Sequence, residues 1–438
     1  MDRYPDTLKK IYNLRGGMID LRLDHMDRAL GLFEHPERQF PSIHVAGTNG
    51  KGSTSAMLDR ILSLAGYRTA LYTSPHLVSF TERMRVGDKE IGEDEVVELV
   101  DEIERRTRAE DLPLTFFEFV TVMAFVYFAR EKIDLAVVEV GLGGRLDATN
   151  LVTPLVSAIT TISKDHEAYL GPDVLSIARE KGGIIKHSVP VVAGKLLPEV
   201  TELIRSLADE HASKSYFLGT DYEISLQNEG FFDYRGIKHH FLNLTLGLRG
   251  RHQRANAAVA LAALELVADR FPTGERAVRE GLATVCWPGR FEVMLERPTV
   301  ILDGAHNGEG VKALVDALGD MARGRRVKLL FAAMADKEWD LMVNALVKSV
   351  DEIIFTRVGM ERSADPRQLA ESVHDRIPNR VIMDSATALR TLFDEAQADD
   401  VLVVAGSLYL LGEIRPLAEQ LVASKAARES SSEPRHEF

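Results

Sequence analysis

A chain of 438 residues is long enough for two or three domains. With 45% hydrophobic and 27% charged residues it has the composition of a globular protein, and no apolar run approaches the roughly 18–20 residues that span a bilayer. The net charge of −13 without a basic tract argues against a nucleic-acid partner, and the lone Cys286 excludes an internal disulfide and a cysteine-rich metal site. Met1 to Arg15 lack the apolar core of a signal peptide, so a cytoplasmic location is expected.

Taken in chain order, Ser42–Ala46 reads as a short apolar strand that runs straight into a glycine-rich loop. From Ser53 the pattern turns helical, with Leu58, Ile61, Leu62 and Ala65 on one face and Gly66 as the stop. Further strands are expected at Arg68–Tyr72, Asp134–Val140, Leu155–Thr160 and Val189–Ala193. Helical stretches separate them, at Glu93–Arg106, Phe117–Arg130 and Leu175–Lys181. Alternation of this kind predicts an α/β domain with a parallel sheet covered on both faces. Between Ser215 and Leu248 short β-like runs with turn residues predict a small antiparallel appendage, and Asn256–Asp269 reads as an Ala/Leu-rich helix.

Trp287-Pro288-Gly289 reads as a linker. Beyond it a second βα series is expected, with strands at Thr299–Leu302, Val327–Ala332, Glu352–Thr356, Arg380–Met383 and Val401–Ala405. These predict a first domain over 1–290, a second, Rossmann-like α/β domain over 291–425, and a polar, disordered tail over 426–438.

The strongest local signal is His44-Val45-Ala46-Gly47-Thr48-Asn49-Gly50-Lys51-Gly52-Ser53-Thr54, set between a strand and a helix. Glycines let a backbone wrap phosphate oxygens, the helix N-terminus points N–H groups at them, and Lys51 supplies the charge that reaches the β/γ-phosphates. The spacing departs from the standard phosphate loop. Gly47 lies four residues before the lysine rather than six, and Gly52 separates Lys51 from Ser53, so the usual metal hydroxyl must come from elsewhere. Glu139, the one carboxylate in the apolar run Leu135–Val140, calls for a metal or another cation as partner. The loop Gly141–Asn150 follows at the carboxyl end of that strand, where open α/β sheets bind ligands. Asp165-His166 also follows a strand, and Asp303-Gly304-Ala305-His306-Asn307 follows the first strand of the second series. Lys181, at the end of a helix, reads by itself as a solvated charge.

Together these motifs resemble the folylpolyglutamate synthase/dihydrofolate synthase family, a branch of the Mur ligases. The matching pieces run in order over nearly the whole chain: HVAGTNGKGST (44–54), YTSPHL (72–77), RMRV (83–86), FFEFVT (116–121), EVGLGGRLDATN (139–150), DHEAYLG (165–171), AREKGGI (178–184), HQRANAAVA (252–260), PGRFEV (288–293), DGAHN (303–307) and AGSLYLLGEIR (405–415). The resemblance implies a phosphate-loop ATPase domain and a C-terminal glutamate-ligase domain. It implies ATP-dependent joining of L-glutamate to dihydropteroate and to folate γ-carboxylates through an acyl phosphate.

It also implies roles for individual residues. Gly47, Thr48, Asn49, Gly50, Lys51, Gly52 and Ser53 would cradle ATP, with Asn256, Arg290 and Asp303 as further nucleotide contacts. Ser74 and Glu139 would hold one Mg²⁺, and His166 with a carbamylated Lys181 a second, which reverses the bland reading of Lys181. His306 and Ser407 would lie near glutamate. Asp27, Arg28, Thr115, Phe117, Leu146, Asp147 and Ala148 occupy positions like the family's pterin contacts. Lys51, His166, Lys181 and His306 are the expected catalytic set. The partners implied are small molecules alone, and a monomer is expected. Two departures stand out: His25-Met26-Asp27-Arg28 lacks the family's glycine-leucine start, and Gly182 stands where an alanine is usual. The competing readings are a peptidoglycan-precursor Mur ligase and an ATP-binding switch that ligates nothing.

Overall fold

All five residues of β1 (Ser42–Ala46) are buried, as the central strand of a covered parallel sheet requires. The computed structural model describes residues 3–14, 23–227, 230–373 and 376–432. The chain divides into two compact units, Met1–Gly247 with Gln253–Cys286, and Leu248–His252 with Trp287–Phe438. The main division falls at Cys286/Trp287, a few residues before the expected boundary.

In the first unit β1 is followed by β2 (Thr69–Tyr72), β3 (Met84–Val86), β4 (Lys89–Glu90), β5 (Leu135–Glu139), β6 (Val156–Ile159), β7 (Val191–Ala193) and β8 (Ser215–Phe217). Among the described residues these form one eight-stranded sheet in the order β4-β3-β2-β5-β1-β6-β7-β8. From β2 to β8 every neighbouring pair is parallel, and β3 and β4 add an antiparallel edge that the sequence reading missed. The predicted strands are present but shorter at their ends.

The appendage is also present, as the antiparallel β9 (Glu223–Leu226), β10 (Phe232–Arg235) and β11 (His240–Leu244). Its expected start was too early: β8 pairs in parallel with β7 and belongs to the main sheet. Phe232, Tyr234 and Leu244 are buried on one face, while Leu226 and Leu242 are exposed.

Helix Phe116–Arg130 shows how local signals settle an ambiguous run. Its sequence, FFEFVTVMAFVYFAR, is rich in strand-forming residues and apolar on all sides. A capping box decides the outcome, with Glu118 N donating to Thr115 Oγ1 and Thr115 N donating to Glu118 Oε2. Residues Glu118–Phe128 are then buried, and many of them join the core with Tyr72, Phe80 and Met84. The phosphate-loop helix begins at Lys51, two residues before the expected start, and ends with Gly66 at φ 97°. The Ala/Leu-rich helix is Arg251–Val267, five residues longer at its start than expected.

The second unit holds β12 (Glu292–Glu296), β13 (Thr299–Asp303), β14 (Val327–Phe331), β15 (Glu352–Phe355), β16 (Asn379–Val381) and β17 (Val401–Ala405). Their order among the described residues is β12-β13-β17-β14-β15-β16, with all pairs parallel except the unpredicted β12. Helix Leu408–Ser432 continues into the segment expected to be a disordered tail, which is therefore helical as far as Ser432. Residues 433–438 lie outside the described residues.

Candidate active site

In the first unit, four neighbouring strands deliver polar residues at their carboxyl ends. In spatial order, β2 leads to Thr73 and Ser74, β5 ends in Glu139, β1 runs into Gly47, and β6 leads to Thr160–His166. That edge of an open parallel sheet is the usual place for a ligand.

The phosphate loop is held from the β6 side. Thr48 N donates to Thr161 O at 2.7 Å and Thr48 Oγ1 to Ser163 O at 3.1 Å. Asn49 N donates to Thr161 Oγ1 at 3.1 Å, and Thr160 Oγ1 donates to Asn49 O at 2.6 Å. These hydroxyl residues were not predicted as site residues, although a Thr-Thr-Ile-Ser run just past a strand end is a legible sign of a loop support. The glycines are sterically required at two points. A Cβ at Gly47 would fall 1.9 Å from Thr160 Oγ1, and one at Gly50, where φ is 88°, 2.3 Å from Asn256 Oδ1. Asn256, taken as a nucleotide contact, is thus packed on the loop, with Nδ2 donating to Gln253. Gly52 and Ser53 are buried in the first turn of the helix.

Two lysines converge here. Lys51 Nζ donates to Gly47 O at 3.1 Å and Thr48 O at 3.3 Å, and Lys181 Nζ donates to the same Gly47 O at 2.9 Å. Lys181 is buried, which overturns its reading as a solvated helix-end charge. Burial first, and then the positive charge of Lys51, lower its pKa to about 7, against a smaller opposing pull from Asp165 and Asp147. A neutral amine is therefore accessible near physiological pH.

Ser74 N donates to Glu139 Oε2 at 3.2 Å, so the buried carboxylate and the serine stand side by side. His166 is exposed, with φ 53°, and its backbone N donates to Asp165 Oδ1 at 2.8 Å. Among the described residues no group of three or more His, Cys, Asp and Glu gathers in the manner of a cation cage. Ser74–Glu139 instead fits a hard cation that takes one carboxylate and completes its shell with water and phosphate oxygens. His166 with Lys181 fits such an ion only if the lysine carries a negative charge.

The loop Gly141–Asn150 meets the Thr115–Phe117 segment directly: a Cβ on Gly141 would lie 2.3 Å from the Phe117 ring. Asp147 is buried, which raises its pKa, and its carboxylate accepts from Leu142 N, Thr149 N and Thr149 Oγ1 at 2.8, 2.9 and 2.5 Å. Leu146 is half-buried and Ala148 buried beside it. Asp27 and Arg28, by contrast, lie on the exposed face of helix Asp24–Gly31, with Asp27 3.7 Å from Arg38. No described hydrogen bond or ion pair joins either to this loop.

In the second unit, Asp303 ends β13 and is buried, which raises its pKa against the opposing charge of Arg290. Its carboxylate accepts from Phe291 N and Ala305 N, both at 2.8 Å. His306 Nδ1 lies 2.8 Å from Gly304 O. Ser407 follows the neighbouring β17, and Gly406 N donates to Ala305 O at 3.0 Å, which brings the two loops together. Arg290, Asp303, His306 and Ser407 thus cluster at the carboxyl ends of β13 and β17.

Comparison with known proteins matches residues 45–264 to the Mur ligase middle domain and residues 289–408 to the Mur ligase glutamate ligase domain. The dihydrofolate synthase/folylpolyglutamate synthase of Bacillus subtilis is 34% identical over 408 residues, covering 90% of this chain and 94% of that protein. The chain belongs to the dihydrofolate synthase/folylpolyglutamate synthase family of Mur ligases. The Escherichia coli family member is 35% identical over 413 residues, with 93% of each chain covered. Solved structures of the family agree. E. coli FolC in complex with DHPP and ADP superposes with a TM-score of 0.89 at 32% identity, covering 95% of this chain and 98% of that one. The Yersinia pestis bifunctional folylpolyglutamate synthase/dihydrofolate synthase with Mn, AMPPNP and L-glutamate bound gives 0.85 at 33% identity, covering 94% and 98%. Membership of this family sets aside the ATP-switch reading: the chain is a Mur-type ATP-dependent ligase. Among the described residues no helix is long and apolar enough to cross a membrane.

Proposed function

We propose that the chain joins L-glutamate to dihydropteroate and to the γ-carboxylate of reduced folates, using ATP and an acyl phosphate. The observation that carries this reading is the convergence of Lys51, Lys181, Ser74 and Glu139 around the Gly47–Thr54 loop, at the carboxyl ends of adjacent strands.

The chemical difficulty is that an anionic carboxylate must attack an already anionic phosphate. Lys51, held by the loop carbonyls, sits where its charge offsets that repulsion and follows the charge that spreads over the transferred phosphoryl group. The loop amides and the helix N-terminus bind the remaining phosphate oxygens. A divalent cation, Mg²⁺ in this reading, would be held by Ser74 and Glu139, and a second by His166 and Lys181; when bound, such ions neutralise phosphate charge and favour its transfer. Lys181 enters that set as a carbamate: its neutral amine adds to CO₂ with loss of a proton, which converts a buried neutral amine into an anion. The glutamate amine then displaces phosphate from the acyl phosphate to give the amide. Thr115, Phe117, Leu146, Asp147 and Ala148 take the pterin end. Arg290 and Asp303 serve the nucleotide, and His306 and Ser407 serve the glutamate. The enzyme acts as a monomer in the cytoplasm on small molecules, and performs both the dihydropteroate and the folate step.

The test is phosphate release with ATP, glutamate and either dihydropteroate or tetrahydrofolate, set against peptidoglycan precursors. Turnover with both pterin substrates and none with the precursors is expected. Turnover with the precursors alone would refute the assignment.

A further inference from the structure

His44 lies outside every role given so far, yet it is fully buried on the strand that feeds the phosphate loop. In the sheet it stands between Val138 of β5 and Ser157 of β6. Its Nε2 is 2.8 Å from Thr149 Oγ1, and Thr149 Oγ1 is 2.5 Å from Asp147 Oδ1.

The order of donors in this chain follows from chemistry. Asp147 as a carboxylate can only accept, so the Thr149 hydroxyl gives it its hydrogen. That oxygen must then accept from His44, which places the imidazole proton on Nε2 and leaves Nδ1 as a bare lone pair. The structure agrees on two counts. Among the described residues Nδ1 is buried without a hydrogen-bond partner, which a lone pair tolerates better than an N–H would, and burial lowers the His44 pKa to about 3, which keeps the ring neutral.

The far end of the loop is anchored by separate bonds. Asn150 Nδ2 donates to Gly183 O at 3.0 Å, Lys186 Nζ donates to Asn150 O at 2.7 Å, and Arg145 N donates to Glu180 O at 2.7 Å. Those contacts fix the loop's backbone. None of them touches the Asp147 carboxylate, which accepts from the backbone N–H groups of Leu142 and Thr149 and, from a side chain, the Thr149 hydroxyl that His44 in turn orients.

We infer that His44 is a positioning residue for folate recognition: through Thr149 it fixes the Asp147 carboxylate, and so ties the pterin-side loop to the strand that carries the phosphate loop. The inference rests on the reading of Asp147 as a pterin contact. A residue that shapes a ground-state contact alters binding of that substrate and leaves the phosphoryl step largely alone.

The experiment measures KM for dihydropteroate, KM for ATP and kcat on the full-length enzyme for Thr149→Val, Thr149→Ser, His44→Gln, His44→Leu and Asp147→Asn. Thr149→Val keeps the shape and removes the hydroxyl. It is expected to raise KM for dihydropteroate about tenfold, as loss of one hydrogen bond to a charged group does, with KM for ATP within about twofold. Thr149→Ser restores the hydroxyl and should return KM close to wild type, as should His44→Gln, whose amide N–H can replace Nε2–H. His44→Leu, by contrast, donates nothing and should raise KM for dihydropteroate; no rise with His44→Leu would overturn the role of His44. A rise in KM for dihydropteroate with Asp147→Asn but none with Thr149→Val would overturn the positioning role while leaving the pterin contact standing. No rise with Asp147→Asn would overturn the contact itself and the inference with it. Equal rises for both substrates, unrescued by serine, would mean a general packing role and would also overturn it.

Discussion

The carboxyl edges of the two parallel sheets handle charge in opposite ways. In the first unit, charged groups from different elements are held open at a glycine loop: Lys51 and Lys181, from two helices, share the Gly47 carbonyl, and Glu139 accepts from the Ser74 N–H. In the second unit the charge is internal and satisfied, with Asp303 capped by two backbone amides and offset by Arg290. Two lysines held close together raise the energy of the protein alone, and that repulsion is relieved once an anion arrives. A carboxylate capped by its own backbone instead stiffens the loop that carries it. The first edge therefore suits phosphate chemistry, and the second suits precise placement of His306 and Ser407.

The comparison can be broken most sharply at Lys51. Lys51→Ala should lower kcat for phosphate release by on the order of 10²–10³-fold, the cost of removing one preorganised charge from a transition state. Near-normal ligation would show that the first edge is not where phosphate is handled.

Lys181→Met should reduce turnover by about 100-fold while making the protein more stable, because a buried amine is replaced by an apolar side chain. The pH dependence gives the sign. The folded pKa of about 7 lies below the ordinary 10.5, so between those values the unfolded chain binds more protons and stability rises with pH. The penalty of burying the amine is fully present below about pH 7. Thermal denaturation of metal-free, CO₂-depleted protein should thus show the gain from Lys181→Met greatest at low pH and shrinking as pH rises. A gain independent of pH would contradict the lowered pKa.

At the second edge, Asp303→Ala should cost about 2 kcal/mol of stability in chemical denaturation, since it leaves the Phe291 and Ala305 amides without their acceptor. A neutral result would mean that the carboxylate does not stiffen its loop. The smallest effect is expected from Gly182→Ala, at the end of the helix that carries Lys181. Alanine favours the helix by about 0.5–1 kcal/mol, but the new Cβ would lie 2.6 Å from Leu207 Cδ1, at the tip of a side chain that can shift. The two effects should nearly cancel, with denaturation midpoint and kcat close to wild type.

The sequence made some of this legible and hid the rest for physical reasons. The phosphate loop announced itself because its strand, glycines, lysine and helix are contiguous. Its supports did not, because Thr160, Thr161 and Ser163 lie more than a hundred residues away and meet the loop only through the β1–β6 pairing. Helical periodicity placed Lys181 at a helix end, where charges are normally solvated; only the Gly47 contact made by the fold shows it buried. The start of the appendage was misjudged because β8 lies next to the antiparallel run in the sequence but pairs in parallel with β7. Asp27 and Arg28 were placed by resemblance alone, and the structure leaves both on an exposed helix face.

The most direct test of the central claim follows the oxygen atoms. Dihydropteroate whose carboxylate carries a heavy oxygen isotope is turned over with unlabelled ATP and glutamate, and the released phosphate is analysed by mass spectrometry. An acyl phosphate requires one carboxylate oxygen to leave with the phosphate, so labelled phosphate is predicted. Unlabelled phosphate formed alongside the amide product would contradict the mechanism.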